Sequence, residues 1–268
     1  MMRYTNRSIS SKSSYNSQSY STANGCAINQ KDQVKDLGIT MSNDCTFSEH
    51  IQEVIKSMRA KSSWITRTFS CRSKYAMLTL WKSLVIPLHD YCSQLWNPVK
   101  LNDIAKFEQV QWSFIRKVSG VAADYWSALS QFQLLSLQRR RERYMIFYVW
   151  KVLEGAAPSL VKSDGTDLMA NNWTLRRGRF CTVDTVSTRL SPVLQTIKRN
   201  SFTVHGASLF NVLPKYIRDI SGCGFEVFKN AVDTFLMNVP DEPHYNGYSS
   251  RFRTGGELSN SLLSMVKL

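Results

Sequence analysis

The sequence predicts a mainly α-helical protein, with a short β segment near its start and a less regular, strongly basic stretch after its last long helix. Three observations carry this. Apolar residues recur at helical spacing through successive segments between 48 and 154. These segments end at residues that stop helices, namely Pro87, Gly120 and Gly155. Beyond Gly155 the periodicity gives way to a mixture of Pro, Gly, Thr and Arg.

Residues 1–30 hold eight serines and almost no aliphatic side chain. They cannot bury enough surface to offset the entropy of ordering, so they are expected to be a disordered tail. Order is expected to begin at Gln33–Met41, an alternating apolar run that reads as a strand, followed by the turn-prone Ser42-Asn43-Asp44. A helix then starts from a Ser48 cap, with Ile51, Val54, Ile55, Met58, Ile65 and Phe69 inward and Lys56, Arg59, Lys61 and Arg67 mostly on other faces. A second runs from Lys74 to Ile86, burying Tyr75, Leu78, Trp81 and Val85, and stops at Pro87, which lacks the N–H the next turn needs. A third follows Asn102 with Ile104, Phe107, Gln111, Phe114, Ile115 and Val118 on one side. Leu129–Leu135 reads as a short helix, and Ser136 caps a long one over Leu137–Glu154. Residues 156–200 read as loops with one or two short strands, such as Phe180-Cys181-Thr182-Val183. Ala207–Leu213 and Phe225–Met237 read as two further helices closed by Pro214 and Pro240, and the end from Asp241 onward as poorly ordered. The chain therefore divides into 1–30, 31–155 and 156–268.

The 268 residues carry 34 Lys plus Arg against 20 Asp plus Glu, a formal charge of +14. Most of the excess lies between 139 and 218, where 14 basic face 5 acidic side chains, a net +9. It is concentrated in Arg139-Arg140-Arg141-Glu142-Arg143, Arg176-Arg177-Gly178-Arg179 and Lys198-Arg199. Such clusters suit a phosphate-binding face, or else a solvated helix face with basic loops. Basic charge at a helix N-terminus opposes the macrodipole, so the first of these clusters calls for a partner. No run approaches the roughly 18 apolar residues of a membrane-spanning helix, and the start has no apolar signal core, so a soluble intracellular protein, cytoplasmic or nuclear, with no membrane partner is expected.

Catalytic signals are sparse. Cys26, Cys45, Cys71, Cys92, Cys181 and Cys223 form no C-x-x-C pair, and Cys45 with His50 and His89 with Cys92 read as structural neighbours, so no metal site is expected. There is no G-x-x-x-x-G-K-[ST] loop and no G-x-S-x-G elbow, and Gly178, Gly206, Gly222 and Gly224 read as turn or cap glycines. Two-metal phosphoryl transfer needs clustered carboxylates, yet no Asp-Asp pair occurs; Asp36, Asp44, Asp90, Asp103 and Asp124 read as caps or solvated charges. No catalytic residue, cofactor or small-molecule substrate is expected.

A family resemblance runs through several ordered blocks. Lys35-Asp36-Leu37-Gly38-Ile39 with Phe47-Ser48-Glu49-His50-Ile51, then Leu84-Val85-Ile86-Pro87 through Tyr91, Ser93, Trp96 and Pro98, resemble the segment downstream of the polymerase active site in LINE-type, jockey-like non-LTR retrotransposon reverse transcriptases. So do Phe107-Glu108-Gln109-Val110-Gln111, Ser136-Leu137-Gln138 with the arginines after it, Leu209-Phe210-Asn211-Val212-Leu213-Pro214 and Val239-Pro240-Asp241-Glu242-Pro243. The resemblance spans roughly residues 31–268. It implies that residues 33–47 form the hairpin closing a polymerase palm, that 48 to about 120 form a helical thumb, and that the remainder is a C-terminal region engaging nucleic acid. The family's catalytic magnesium ligands, a Tyr-x-Asp-Asp motif and a further Asp, are not in this sequence, nor is the endonuclease domain or a Cys-Cys-His-Cys knuckle. The reading is therefore a catalytically incompetent reverse-transcriptase fragment, retaining at most sequence-independent RNA or DNA binding.

A thumb contacts the sugar-phosphate backbone, which calls for basic side chains on a helix face. The candidates are Lys56, Arg59, Arg67, Arg72 and Lys74 in the thumb-like part, and Arg139, Arg140, Arg141, Arg143, Arg176, Arg177 and Arg179 beyond it. Trp64, Trp81, Trp96, Trp112, Trp126 and Trp150 offer rings that unpaired bases can stack on, but most fall on apolar helix faces and read as core in preference to stacking platforms. The alternative is a domesticated protein-interaction module with no affinity for nucleic acid.

Overall fold

The computed structural model describes residues 20–28, 31–43, 47–98, 100–119, 124–158, 171–243, 245 and 260–265. The fold is mainly α. Of the tail read as disordered, residues 1–19, 29 and 30 lie outside the described residues. Tyr20–Ser21 (β1) and Ala27–Ile28 (β2) pair as a minimal antiparallel hairpin, with residues 21–26 exposed.

The alternating run, read on spacing as a strand, forms the short β-hairpin that the family resemblance implied for this part of the chain. Gln33–Asp36 (β3) pairs antiparallel with Ile39–Ser42 (β4) around Leu37 and Gly38, whose φ values are both positive, 45° and 82°. Two left-handed residues make the mirror-image turn whose twist matches that of the strands. Ser48 is the first helical residue and not the cap: helix α1 (Ser48–Thr68) starts from Phe47, which makes no side-chain cap bond. Ile51, Val54, Ile55, Met58 and Ile65 are buried as the spacing requires.

Pro87 does not end the second helix. Lys74–Leu80 (α2) widens into a π turn over Trp81–Val85 and continues as Ile86–Asp90 (α3), with Pro87 in its first turn. The Ile86 N–H reaches back to the Trp81 carbonyl, and the wider turn places the proline where its missing donor is not needed. Trp81 and Val85 are buried, but Tyr75 is 84% exposed and Met77 takes the inward position. Ser93–Trp96 (α4) and Leu101–Ser119 (α5) follow. Gly120, the expected stop of α5, lies outside the described residues.

The short helix lies earlier than read, at Tyr125–Gln131 (α6), because the Asp124 carboxylate accepts the Ser127 N–H and fixes its start. Leu137–Leu153 (α7) begins at Ser136, whose hydroxyl accepts the Arg139 N–H at 3.0 Å, and ends before Gly155 at φ 72°. Asn171–Thr174 (β5) and Gly178–Cys181 (β6) form a third hairpin. A helix read as loop follows, Pro192–Arg199 (α8), started by a Ser191 cap and Pro192. A second π turn over Phe202–Gly206 leads into Ala207–Val212 (α9), then Lys215–Arg218 (α10) and Phe225–Met237 (α11).

The described parts of the end are docked. Asp241 accepts the Ser136 N–H at 2.7 Å, Tyr245 is buried, and Leu262 in Leu262–Met265 (α12) is fully buried; residues 246–259 lie outside the described residues.

Two main cores result. One gathers α1–α5 around Trp81, Trp96, Phe107 and Phe114 and takes in Leu137; the other gathers the second half of α7 with Cys181, α9, α10, α11 and Leu262. Helix α7 serves both, so packing continues across the boundary read near Gly155. Gly178, at φ 68° in the β5–β6 turn, has no room for a Cβ, which would overlap the Asp219 carboxylate. Since that carboxylate accepts the Arg179 N–H, Gly178→Ala is expected to lower stability by about 2 kcal/mol, read as a fall in the urea midpoint at constant m.

Candidate nucleic-acid interface

The α7 arginines, expected to face phosphate, turn mostly inward. Arg139 and Arg141 are 0% and 1% exposed. Arg139 donates to the carbonyls of Pro240 and Asn260 at 3.0 and 2.9 Å and so ties the C-terminal segment to α7. Arg140 grips Asp90 through Nε and Nη2 at 2.9–3.1 Å. Arg143 forms a two-pronged pair with Asp233 of α11. Together the arginines reach α3, α11 and the C-terminal segment, so the run works as an internal clamp. Arg179 is likewise buried, ion-paired to Glu154.

Arg141 donates to Asn97 at 3.1 Å and meets His89 Nε2 at 2.8 Å. A guanidinium has only donors, so Nε2 must accept and the His89 proton sits on Nδ1, facing Asp90 at 3.0 Å. Burial lowers the His89 pKa to about 4, and the ring is neutral. Burial pushes the Asp90 carboxyl upward, but bonds from His89 and Arg140 outweigh it and hold Asp90 below its usual range. The dipole of α7 is met by Glu108 of α5. Its carboxylate accepts the N–H groups of Leu137 and Gln138 at 3.2 and 2.8 Å and the Tyr125 hydroxyl at 2.6 Å. Burial raises the Glu108 pKa to about 7. Asp90 and Asp103, read as isolated surface charges, are thus engaged: Asp103 is 6% exposed and accepts from Gln52.

The exposed cations are elsewhere. Lys56, Arg59 and Arg67 stand with Ser63 on one face of α1, at i, i+3, i+11 and i+7, and all three are exposed. Among the described residues no carboxylate pairs with them; Glu53, one turn earlier, is held by Lys35 at 3.3 Å. Arg72 and Lys74 extend this surface around the corner into α2. Arg72 is braced by a bond to the Thr66 carbonyl at 3.2 Å, and the Lys74 ammonium lies 5.6 Å from the Phe132 ring.

Two aromatics read as core accompany them. Tyr75 is 84% and Trp64 44% exposed, with the Lys61 ammonium 5.6 Å from the Trp64 ring. The β5–β6 turn presents Arg176 and Arg177, both exposed, and is held from below by Lys215 and Arg218, which donate to the carbonyls of Leu175 and Arg177. Trp81, Trp96 and Trp150 are buried as read, and Trp112 and Trp126 are partly buried. Tyr75 stands six residues before Trp81, about a third of a turn off its face on a regular helix, whereas Met77, four residues before, shares that face, so the spacing itself held this signal.

Among the described residues no three His, Cys, Asp or Glu side chains stand together as a metal site, and no helix is long and apolar enough to cross a membrane. The cysteine–histidine neighbours have structural roles: His50 Nδ1 accepts the Thr40 N–H at 3.4 Å and its ring meets Trp96 edge-on. Cys45 lies outside the described residues.

Compared with known proteins, the chain is 27% identical over 96 residues to a probable RNA-directed DNA polymerase from transposon X-element of Drosophila melanogaster. The match covers 35% of this chain and 11% of that protein. No family model matches, and no solved structure does. The likeness is therefore to a transposon reverse transcriptase, over about a third of the chain.

Proposed function

We propose that the chain is the thumb and downstream C-terminal region of a LINE-type, jockey-like reverse transcriptase. Its role is a sequence-independent grip on the sugar-phosphate backbone of RNA or DNA. The observation that carries this reading is the α1–α2 corner, where Lys56, Arg59, Arg67, Arg72 and Lys74 are exposed, with no carboxylate partner among the described residues, beside Trp64 and Tyr75. Cations supply salt-sensitive attraction to phosphate, and exposed rings offer stacking to unpaired bases. The transposon relative supports the same reading. Arg176 and Arg177 form a second contact, while the α7 arginines and Arg179 support the fold. No nucleotidyl transfer is assigned to these residues, since the sequence holds neither a Tyr-x-Asp-Asp motif nor an Asp-Asp pair to bind magnesium.

Replacement of the rings tests the surface. Tyr75→Ala with Trp64→Ala is expected to weaken single-strand binding at least tenfold, with a smaller effect on a blunt duplex, as followed by fluorescence anisotropy. Equal, negligible effects on both probes would remove the stacking role.

A further inference from the structure

A cavity of about 460 Å³ lies between the start of α5, the first turns of α7, the end of α8, the π turn at Phe202–Gly206 and the segment around Ser261. Its size falls within the roughly 300–1,000 Å³ of small-molecule sites. Ile104, Val204 and Leu263 give it apolar walls. Among them stand polar groups that the fold has not used. Gln138 is 7% exposed, yet its side-chain oxygen has no hydrogen-bond partner. The His205 ring, in the π turn, makes no hydrogen bond among the described residues either. Burial lowers its pKa to about 4, so near neutral pH it offers one donor and one acceptor.

The electrostatics favour one negative group. Arg141 borders the cavity, held in place by Asn97 and His89. Arg199, exposed on the rim, has no ion pair among the described residues, whereas its neighbour Lys198 is taken by Asp184 at 3.1 Å. Against these two cations stands one carboxylate, Glu142, which accepts the Leu262 N–H at 3.1 Å. Apolar walls with a carboxamide and an imidazole suit a flat ring bearing donors and acceptors, and a free guanidinium on the rim suits a phosphate. An adjoining groove shares Asn97 and Asn200 and carries Tyr148 and Phe202, whose rings meet edge-on at 5.1 Å.

We propose that this cavity binds a nucleoside phosphate, with the base between Ile104 and Val204 and within reach of Gln138 and His205, and the phosphate on Arg199. The site goes beyond the backbone grip and uses none of the α1–α2 cations. Its ligand is either a free nucleotide or the unpaired terminal nucleotide of a strand, for which the aromatic groove would take the next base.

The test is calorimetric titration of the full chain with nucleoside 5′-monophosphates, adenosine and inorganic phosphate, beside a blunt duplex and one with a single-nucleotide overhang. Saturable binding of a monophosphate is expected, at least tenfold tighter than either adenosine or phosphate alone. Arg199→Ala should weaken it at least tenfold without moving the unfolding midpoint, and His205→Phe, which fills the cavity, should abolish it. Both variants should bind blunt duplex as the unaltered chain does, which separates failure of this site from failure of the backbone grip. A preference for the overhang over the free nucleotide would identify the strand end as the source; the reverse would identify the free nucleotide. Absence of saturable nucleotide binding by folded protein, phosphate binding as tightly as the nucleotide, or unchanged affinity in Arg199→Ala would overturn the proposal.

Discussion

Glu108→Ala is expected to destabilise the chain by about 3–5 kcal/mol, read as a fall in the urea midpoint with m unchanged. The carboxylate is 0% exposed and accepts two backbone N–H groups at the start of α7 and the Tyr125 hydroxyl. Its removal strands three buried donors, each costing roughly 1–3 kcal/mol, and takes a compensating charge from the neighbourhood of Arg141. The same residue shapes the pH dependence. Its folded pKa, about 7, lies above the ordinary glutamate value of 4.5, so between these pH values the folded state holds the proton more tightly. This contribution is full below 4.5 and is lost as pH rises through 7. His89 and His205 act in the opposite sense: both are lowered by burial from 6.5 to about 4, so their contribution is present above 6.5 and lost as pH falls toward 4. The two trends oppose each other over pH 4.5–6.5. Glu108→Gln removes one of them, and its stability should therefore rise with pH across that window more steeply than that of the unaltered chain. Parallel profiles for the two proteins would show that Glu108 does not titrate there.

Charge reversal on α1 gives the second large effect. The triple change Lys56→Glu, Arg59→Glu and Arg67→Glu is expected to weaken duplex binding at least 100-fold at ~50 mM salt and to reduce the slope of log affinity against log salt by about 2–3, near 0.9 per lost phosphate contact. All three side chains are exposed and free of ion pairs among the described residues, so stability should stay within about 1 kcal/mol of that of the unaltered chain. Arg140→Gln reverses this pattern, since it strands Asp90 and should cost stability while leaving the salt slope of the folded protein unchanged.

The contrast shows what the sequence makes legible. Helical spacing in α1 and α5, the Ser136 cap and the helix over 225–237 are local properties, and local chemistry predicts them. The π turn at Trp81–Val85 is not local in that sense. It absorbs Pro87 and lets the helix continue into α3. The α7 arginines were legible as charges in need of a partner, but the partners, Asp90 and Asp233, lie 50 and 90 residues away and are gathered only by tertiary packing. Scattered carboxylates that look like isolated surface groups are in fact the other half of that clamp. Of the predicted interface, the cations on the α1 helix face kept their exposure because their spacing already separated them from the apolar stripe.

The most direct test of the central claim is a fluorescence-anisotropy titration of the full chain against a short RNA–DNA duplex at ~50 and ~200 mM salt. A backbone grip through several exposed cations predicts micromolar binding at the lower salt that weakens tenfold or more at the higher. A folded sample that does not bind at ~50 mM salt, or binds equally at both concentrations, would contradict it.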